Sequence, residues 1–205
     1  MSKKGKKWSE LTFKEKRKIY LYGTIAFTFF LGITFFMTPA PSKKELQTKK
    51  TYLISDPKFS KKRSHHWVEL YTKNGKYKIE GIDYKYLKQH NFKKYIKKGV
   101  MVEIGVKNEN IYLLKYKNFN FLRFNEAQIH KEKNRKFSRI VFGTGLIVCL
   151  ISYLFRKEIK YENDGEKTTL DFGPIIIISI IFSIIIALLI IGGIDFVSGQ
   201  EFMYE

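Results

Sequence analysis

Three long apolar runs interrupt an otherwise polar chain, and their spacing organises the rest. Gly173 to Val197 (GPIIIISIIFSIIIALLIIGGIDFV) carries no charge until Asp195. A helix needs about 20 largely uncharged residues to cross the roughly 30 Å hydrocarbon core of a bilayer, and Pro174 falls in the first turn, where a missing N–H costs nothing. Ile19 to Met37 and Ile140 to Phe155 answer to the same description. The pattern therefore predicts a basic tail (1–18), a first transmembrane helix (19–37), an extramembrane domain (38–125), a stalk continuing into a second span (126–155), a surface loop (156–173), a third span (174–197) and a short tail (198–205).

Between the first two spans the pattern changes period. Thr38-Pro39-Ala40-Pro41 ends the first helix, and residues 42–50 read as a charged linker. Short apolar and aromatic runs follow at 51–54, 66–71, 77–82, 100–106, 111–116 and 119–124. Trp67, Glu69 and Tyr71 alternate with Val68 and Leu70, and Val100, Val102, Ile104 and Val106 share one side, as a strand's two-residue period requires. Asn74-Gly75 and Lys107-Asn-Glu-Asn110 supply tight turns. Mixed three- and four-residue spacings over 83–98 predict one or two short helices. The fold class expected is a membrane α+β protein, three transmembrane helices with a small antiparallel β-rich domain, a closed or half-closed meander, inserted between helices 1 and 2.

Asn125 followed by Gln128 suits a helix cap with its reciprocal partner. No breaker interrupts the register from Glu126 until Gly143, so one helix is expected from 126 to 155, standing the domain off the membrane. Glu158 to Glu162 and Lys167 to Phe172, flanking Asn163-Asp-Gly165, predict a β-hairpin at the membrane surface.

Small or weakly polar residues recur at helical spacing within each span: Thr24, Thr28 and Gly32; Gly145, Cys149 and Ser152; Ser179, Ser183 and Ala187. Such stripes permit close helix approach in lipid, which marks all nine for membrane helix packing.

The formal charge of +19 is concentrated. Residues 39–138 hold 25 basic and nine acidic residues, and the N-terminal tail holds eight and two. The 19-residue first run exceeds a signal peptide's apolar region, so it is read as a signal anchor. The basic flanks at 1–18 and 156–173 place the N-terminus in the cytoplasm and the domain outside it, in a bacterial inner membrane. Membrane lipids are then expected partners.

Candidate chemistry is sparse. His65 and His66, adjacent on a strand, point to opposite faces and cannot share a metal without a bulge. His90 and His130 lack neighbours at ligand spacing, and Cys149 is the only cysteine. Asp195, ionisable near a membrane core, is a functional flag, but Gly192-Gly193 before it suggests an interfacial carboxylate. There is no phosphate-cradling loop and no nucleophile elbow. No cofactor, metal, catalytic residue or small-molecule substrate is expected. Interleaved lysines and aromatics could stack bases, but tethering to a membrane disfavours nucleic acid.

The sequence reading is a non-catalytic accessory or scaffolding subunit of a larger membrane complex, because three spans are too few to enclose a transport path. Its domain would bind a protein partner through Trp67, Tyr71, Tyr77, Lys93 and Lys94. The alternatives are a membrane-anchored binder of anionic ligands (lipid headgroups, lipopolysaccharide or nucleic acid) and a toxin-neutralising or stress-response membrane protein.

Overall fold

A computed structural model describes residues 7–36, 40–163 and 166–191, which divide into a helical unit (7–36 and 134–191) and a β unit (40–133). Asp195, Gly192-Gly193 and the 198–205 tail lie outside the described residues.

The first helix, α1 (Phe13–Phe36), starts well before the apolar run. Thr12 and Glu15 form a reciprocal cap, Glu15 N–H donating to Thr12 Oγ1 and Thr12 N–H to the Glu15 carboxylate, which seeds the helix among charged residues.

In the β unit come β1 (Gln47–Tyr52), β2 (Lys58–Lys62), β3 (His65–Thr72), β4 (Gly75–Glu80), α2 (Gly81–Lys85), α3 (Gln89–Tyr95), β5 (Met101–Lys107), β6 (Asn110–Tyr116) and β7 (Phe119–Asn120). The sheet is mixed, in the order β1-β5-β6-β4-β3-β2, with β7 on β6. This corrects the expected antiparallel meander. After β4 the chain crosses through α2 and α3 to a position two strands away, and β5 returns in the opposite direction to β4. Whatever strand fills the gap must be parallel to one of them. β6 fills it, antiparallel to β5 and parallel to β4 at Lys78↔Asn110. A bridge at Leu53↔Thr72, with Ile54 N–H on the Tyr71 carbonyl and Lys73 N–H on that of Tyr52, joins the sheet's two sides. β1 and β2 thus behave as one strand bent at 55–57, where Pro57 needs no ladder donor.

β1 begins inside the expected linker, and β2 carries no readable two-residue pattern because Phe59 is its sole apolar residue. Both take polar sequences because they lie at sheet margins, where lysine discourages further pairing. The run expected at 77–82 stops at Glu80, since Gly81 (φ +61) turns the chain into α2. Asn108 (φ +49) and Glu109 (φ +65) make the expected tight turn between β5 and β6. Val68, Leu70, Ile79, Val102, Ile104, Ile111 and Leu114 fill the interior, closed at one end by Phe92, Ile96 and Phe121.

α4 (Phe124–Leu154) runs unbroken for 31 residues, about 46 Å at 1.5 Å per residue. It starts one residue before Asn125, so Asn125 lies in its first turn rather than at the cap. β8 (Lys160–Asn163) and β9 (Glu166–Thr169) form the expected hairpin, and α5 (Phe172–Ile191) closes the described chain. α1, α4 and α5 are long and apolar enough to cross a membrane.

The helical unit is clamped at both ends by arginine. Arg17 Nε donates to the Tyr153 carbonyl at 2.9 Å, and Arg139 Nη2 to the Thr34 carbonyl at 3.2 Å. Each guanidinium reaches the last turn of the opposing helix, where carbonyls lack helical partners and the dipole is negative. Each also covers an aromatic ring, Tyr153 at 4.9 Å and Phe35 at 4.4 Å. These pairs require α1 and α4 to be antiparallel. Lys16 and Trp8 both bind Asp171, so α5 starts beside the start of α1 and the helices run up, down, up.

Candidate recognition face and helix contacts

The two-residue period of β3 sends Val68, Leu70 and Thr72 inward and leaves Trp67, Glu69 and Tyr71 half-buried on the outer side. Antiparallel pairing sets Glu80 opposite Trp67, Lys78 opposite Glu69 and Lys76 opposite Tyr71. Glu69 gathers its neighbours. It accepts from Tyr71 Oη at 2.8 Å and Trp67 Nε1 at 3.3 Å, and it pairs with Lys76 Nζ at 2.9 Å. The Lys76 ammonium, aided by the Tyr71 hydroxyl, holds its carboxyl down at about 2. Glu80 pairs with Lys78 at 2.9 Å and lies 3.7 Å from His65 Nε2, whose ring is 5.3 Å from that of Trp67.

The result is an open groove of about 380 Å³ lined by His65, Trp67, Glu69, Lys76, Lys78 and Glu80, with Tyr77 and Glu109 at its margin. Two aromatic side chains are held by one carboxylate, so little rotamer freedom is left to lose on binding. Two of its carboxylates are engaged by lysine, Glu69 by Lys76 and Glu80 by Lys78. Among the described residues no three His, Cys, Asp or Glu side chains converge.

Of the other residues marked by sequence, Tyr77 is 6% exposed, faces the core and lies under Lys49. Lys93 and Lys94 stand on α3, where their ammonium groups lie over Phe59 and Tyr95. His65 and His66 diverge, His66 stacking on Tyr84 at 5.9 Å.

Two of the three small-residue stripes are buried or half-buried within the helical unit. Gly145, Cys149 and Ser152 are buried, as are Ser183 and Ala187, with Ser179 half-buried. On α1 the buried positions are instead Tyr20 and Thr34, with Gly23 and Phe27 between them in contact with α4. A Cβ on Gly145 would come within 2.5 Å of the Phe27 ring, and one on Gly23 within 3.0 Å of Cys149 Sγ. Thr28 is exposed, Gly32 has nothing within 4 Å of a built Cβ, and Thr24 and Thr28 return their hydroxyls to their own helix.

A buried polar cluster that no spacing signalled joins α2 to the start of α4. Lys131 pairs with Asp83 and covers the Tyr112 ring at 4.8 Å, while Tyr86 Oη lies 3.0 Å from His130 Nδ1. Burial pushes the Asp83 carboxyl up, with Lys131 opposing. Compared with protein-family models, curated proteins and solved structures, the chain matches none.

Proposed function

We propose that this chain is a non-catalytic, membrane-anchored recognition subunit whose β unit takes a protein partner on the outer face of β3 and β4. The observation that carries the reading is the fixing of Trp67 and Tyr71 on one solvent-facing strand by Glu69. Tyrosine and tryptophan are the residues most enriched among energetic anchors of interfaces, and here their order precedes any partner. Counting the bent β1–β2 as one strand, the β unit is a five-stranded barrel with a helical crossover, an OB-type arrangement in our reading. In such barrels the second and third strands commonly carry the binding face. That is an analogy of fold and supports the location of the site, not its ligand.

In this reading the N-terminus is cytoplasmic and the β unit lies outside, in a bacterial inner membrane, as a subunit of a larger assembly. A photo-reactive residue at Tyr71, in cells, should give one discrete adduct, whereas the same residue at exposed Tyr95 on α3 should give none. No adduct at Tyr71, or equal adducts at both, would refute the face. Orientation is read from Asn74→Cys in a Cys149→Ser background: a membrane-impermeant thiol reagent should label it in intact cells.

A further inference from the structure

The helical unit carries two arginines that the up–down–up packing leaves incompletely satisfied. Arg135 and Arg139 stand four residues apart on α4 and therefore on one stripe. Neither pairs with a carboxylate among the described residues, in contrast to Arg123, which meets Glu126 at 3.5 Å. Arg139 spends Nη2 on the Thr34 carbonyl, yet its Nε is buried without an acceptor, and so is the Nε of Arg135. A buried guanidinium N–H with no partner is costly, and the planar fork that Nε completes is shaped for paired oxygens.

Depth identifies the oxygens. The apolar run of α4 begins at Ile140, so Arg139 lies at the edge of the hydrocarbon layer and Arg135 about 6 Å farther out. Phe35 and Phe36, both exposed, mark the same level on α1. The acceptors found at that depth are lipid phosphates, whose paired oxygens suit a guanidinium fork.

We propose that Arg135 and Arg139 form a site for the phosphate of an anionic phospholipid, at the end of the helical unit where α1 finishes and α4 enters. The Thr34 carbonyl holds Arg139, and the two guanidinium side chains, one turn apart on α4, take one headgroup between them.

The test uses the full chain in detergent, delipidated, with phosphatidylglycerol or phosphatidylcholine added and bound lipid counted by native mass spectrometry. Wild type should retain phosphatidylglycerol about tenfold over phosphatidylcholine. Arg135→Gln/Arg139→Gln should bring that preference to within about twofold, since two interfacial cations at about fivefold each are enough to account for all of it. Arg156→Gln/Lys157→Gln removes the same charge at the other end of the unit and should leave the preference intact. Equal retention of both lipids by wild type, an unchanged preference in the arginine variant, or an equal loss in the control variant would overturn the proposal. Displacement of phosphatidylglycerol by millimolar inorganic phosphate would also overturn it, showing a site for free anion. If the arginine variant fails to fold, wild type decides alone: its melting temperature should be higher in phosphatidylglycerol nanodiscs than in phosphatidylcholine ones, and equal values would sink the idea.

Discussion

Trp8 donates its indole N–H to Asp171 Oδ2 at 2.8 Å, tying the segment before α1 to the residue before α5 across 163 positions of sequence. Asp171 also accepts from Lys16 Nζ at 2.8 Å and from Gly173 N–H at 2.9 Å. Burial works against its ionisation, but the Lys16 ammonium, the Gly173 amide and the indole outweigh it and hold the carboxyl below its usual value. The Trp8 ring lies so close to Gly173 that a Cβ there would approach within 2.6 Å.

Loss of this carboxylate should loosen the tail. Asp171→Ala removes charge-assisted hydrogen bonds on a partly exposed group, at a cost of about 1–2 kcal/mol. In a Trp67→Phe background the emission of Trp8 should move to longer wavelength in Asp171→Ala. An unshifted spectrum would mean that the indole is held by packing alone.

Leucine at Gly145 should disrupt the α1–α4 contact, because the Phe27 ring occupies the space a side chain needs. Overpacking of this kind costs about 1–3 kcal/mol. Gly32→Leu, with open space at its Cβ, should melt in detergent within a degree or two of wild type. Equal melting temperatures for the two variants would exclude the packing described.

Glu69 has a measurable pH signature. Its carboxyl lies at about 2 in the folded protein against an ordinary 4.5. The folded value is depressed, so the stabilisation is fully present above pH 4.5 and is lost as pH falls toward 2. In a Trp8→Phe background, Trp67 fluorescence should titrate with a midpoint near 2, and the transition should vanish in Glu69→Gln. A midpoint near 4.5 would show that Lys76 and Tyr71 do not hold the carboxylate.

Lys131→Met should be more damaging than its position on a helix suggests. It strands Asp83, whose side chain is 10% exposed, without its counter-ion, and breaking such a pair costs about 3 kcal/mol. Replacing both, Asp83→Leu/Lys131→Met, should recover most of that loss in thermal melts. A double variant no better than the single one would place the cost in lost packing on Tyr112.

The membrane segments were legible because hydrocarbon imposes a length and composition that local sequence alone must meet: a helix in lipid satisfies its own backbone. The strands of the core, β3 to β6, were legible for a similar reason, since a buried side and a wet side write a two-residue period into Val68, Leu70, Val102 and Ile104. Margins were not. Lys58 to Lys62 and Gln47 to Lys50 become strands only because β3 and β5 offer them partners, and polar sequence records no such pairing. On α1 the contact with α4 is made by Gly23 and Phe27, which matter through the shape they meet there, and no spacing of small residues marks them.

By itself, then, the sequence determined the number of apolar helices, the presence of a β-rich insert and the alternation of Trp67 and Tyr71 with Val68 and Leu70, all consequences of local periodicity. Only the tertiary structure decided the parallel pairing of β4 with β6, the convergence of Trp67, Tyr71 and Lys76 on Glu69, and the reach of Arg17 and Arg139 to the opposing helix. Each of those joins residues from separate elements, or aims side chains at one acceptor, and depends on strand direction, register and helix packing, which no local pattern encodes.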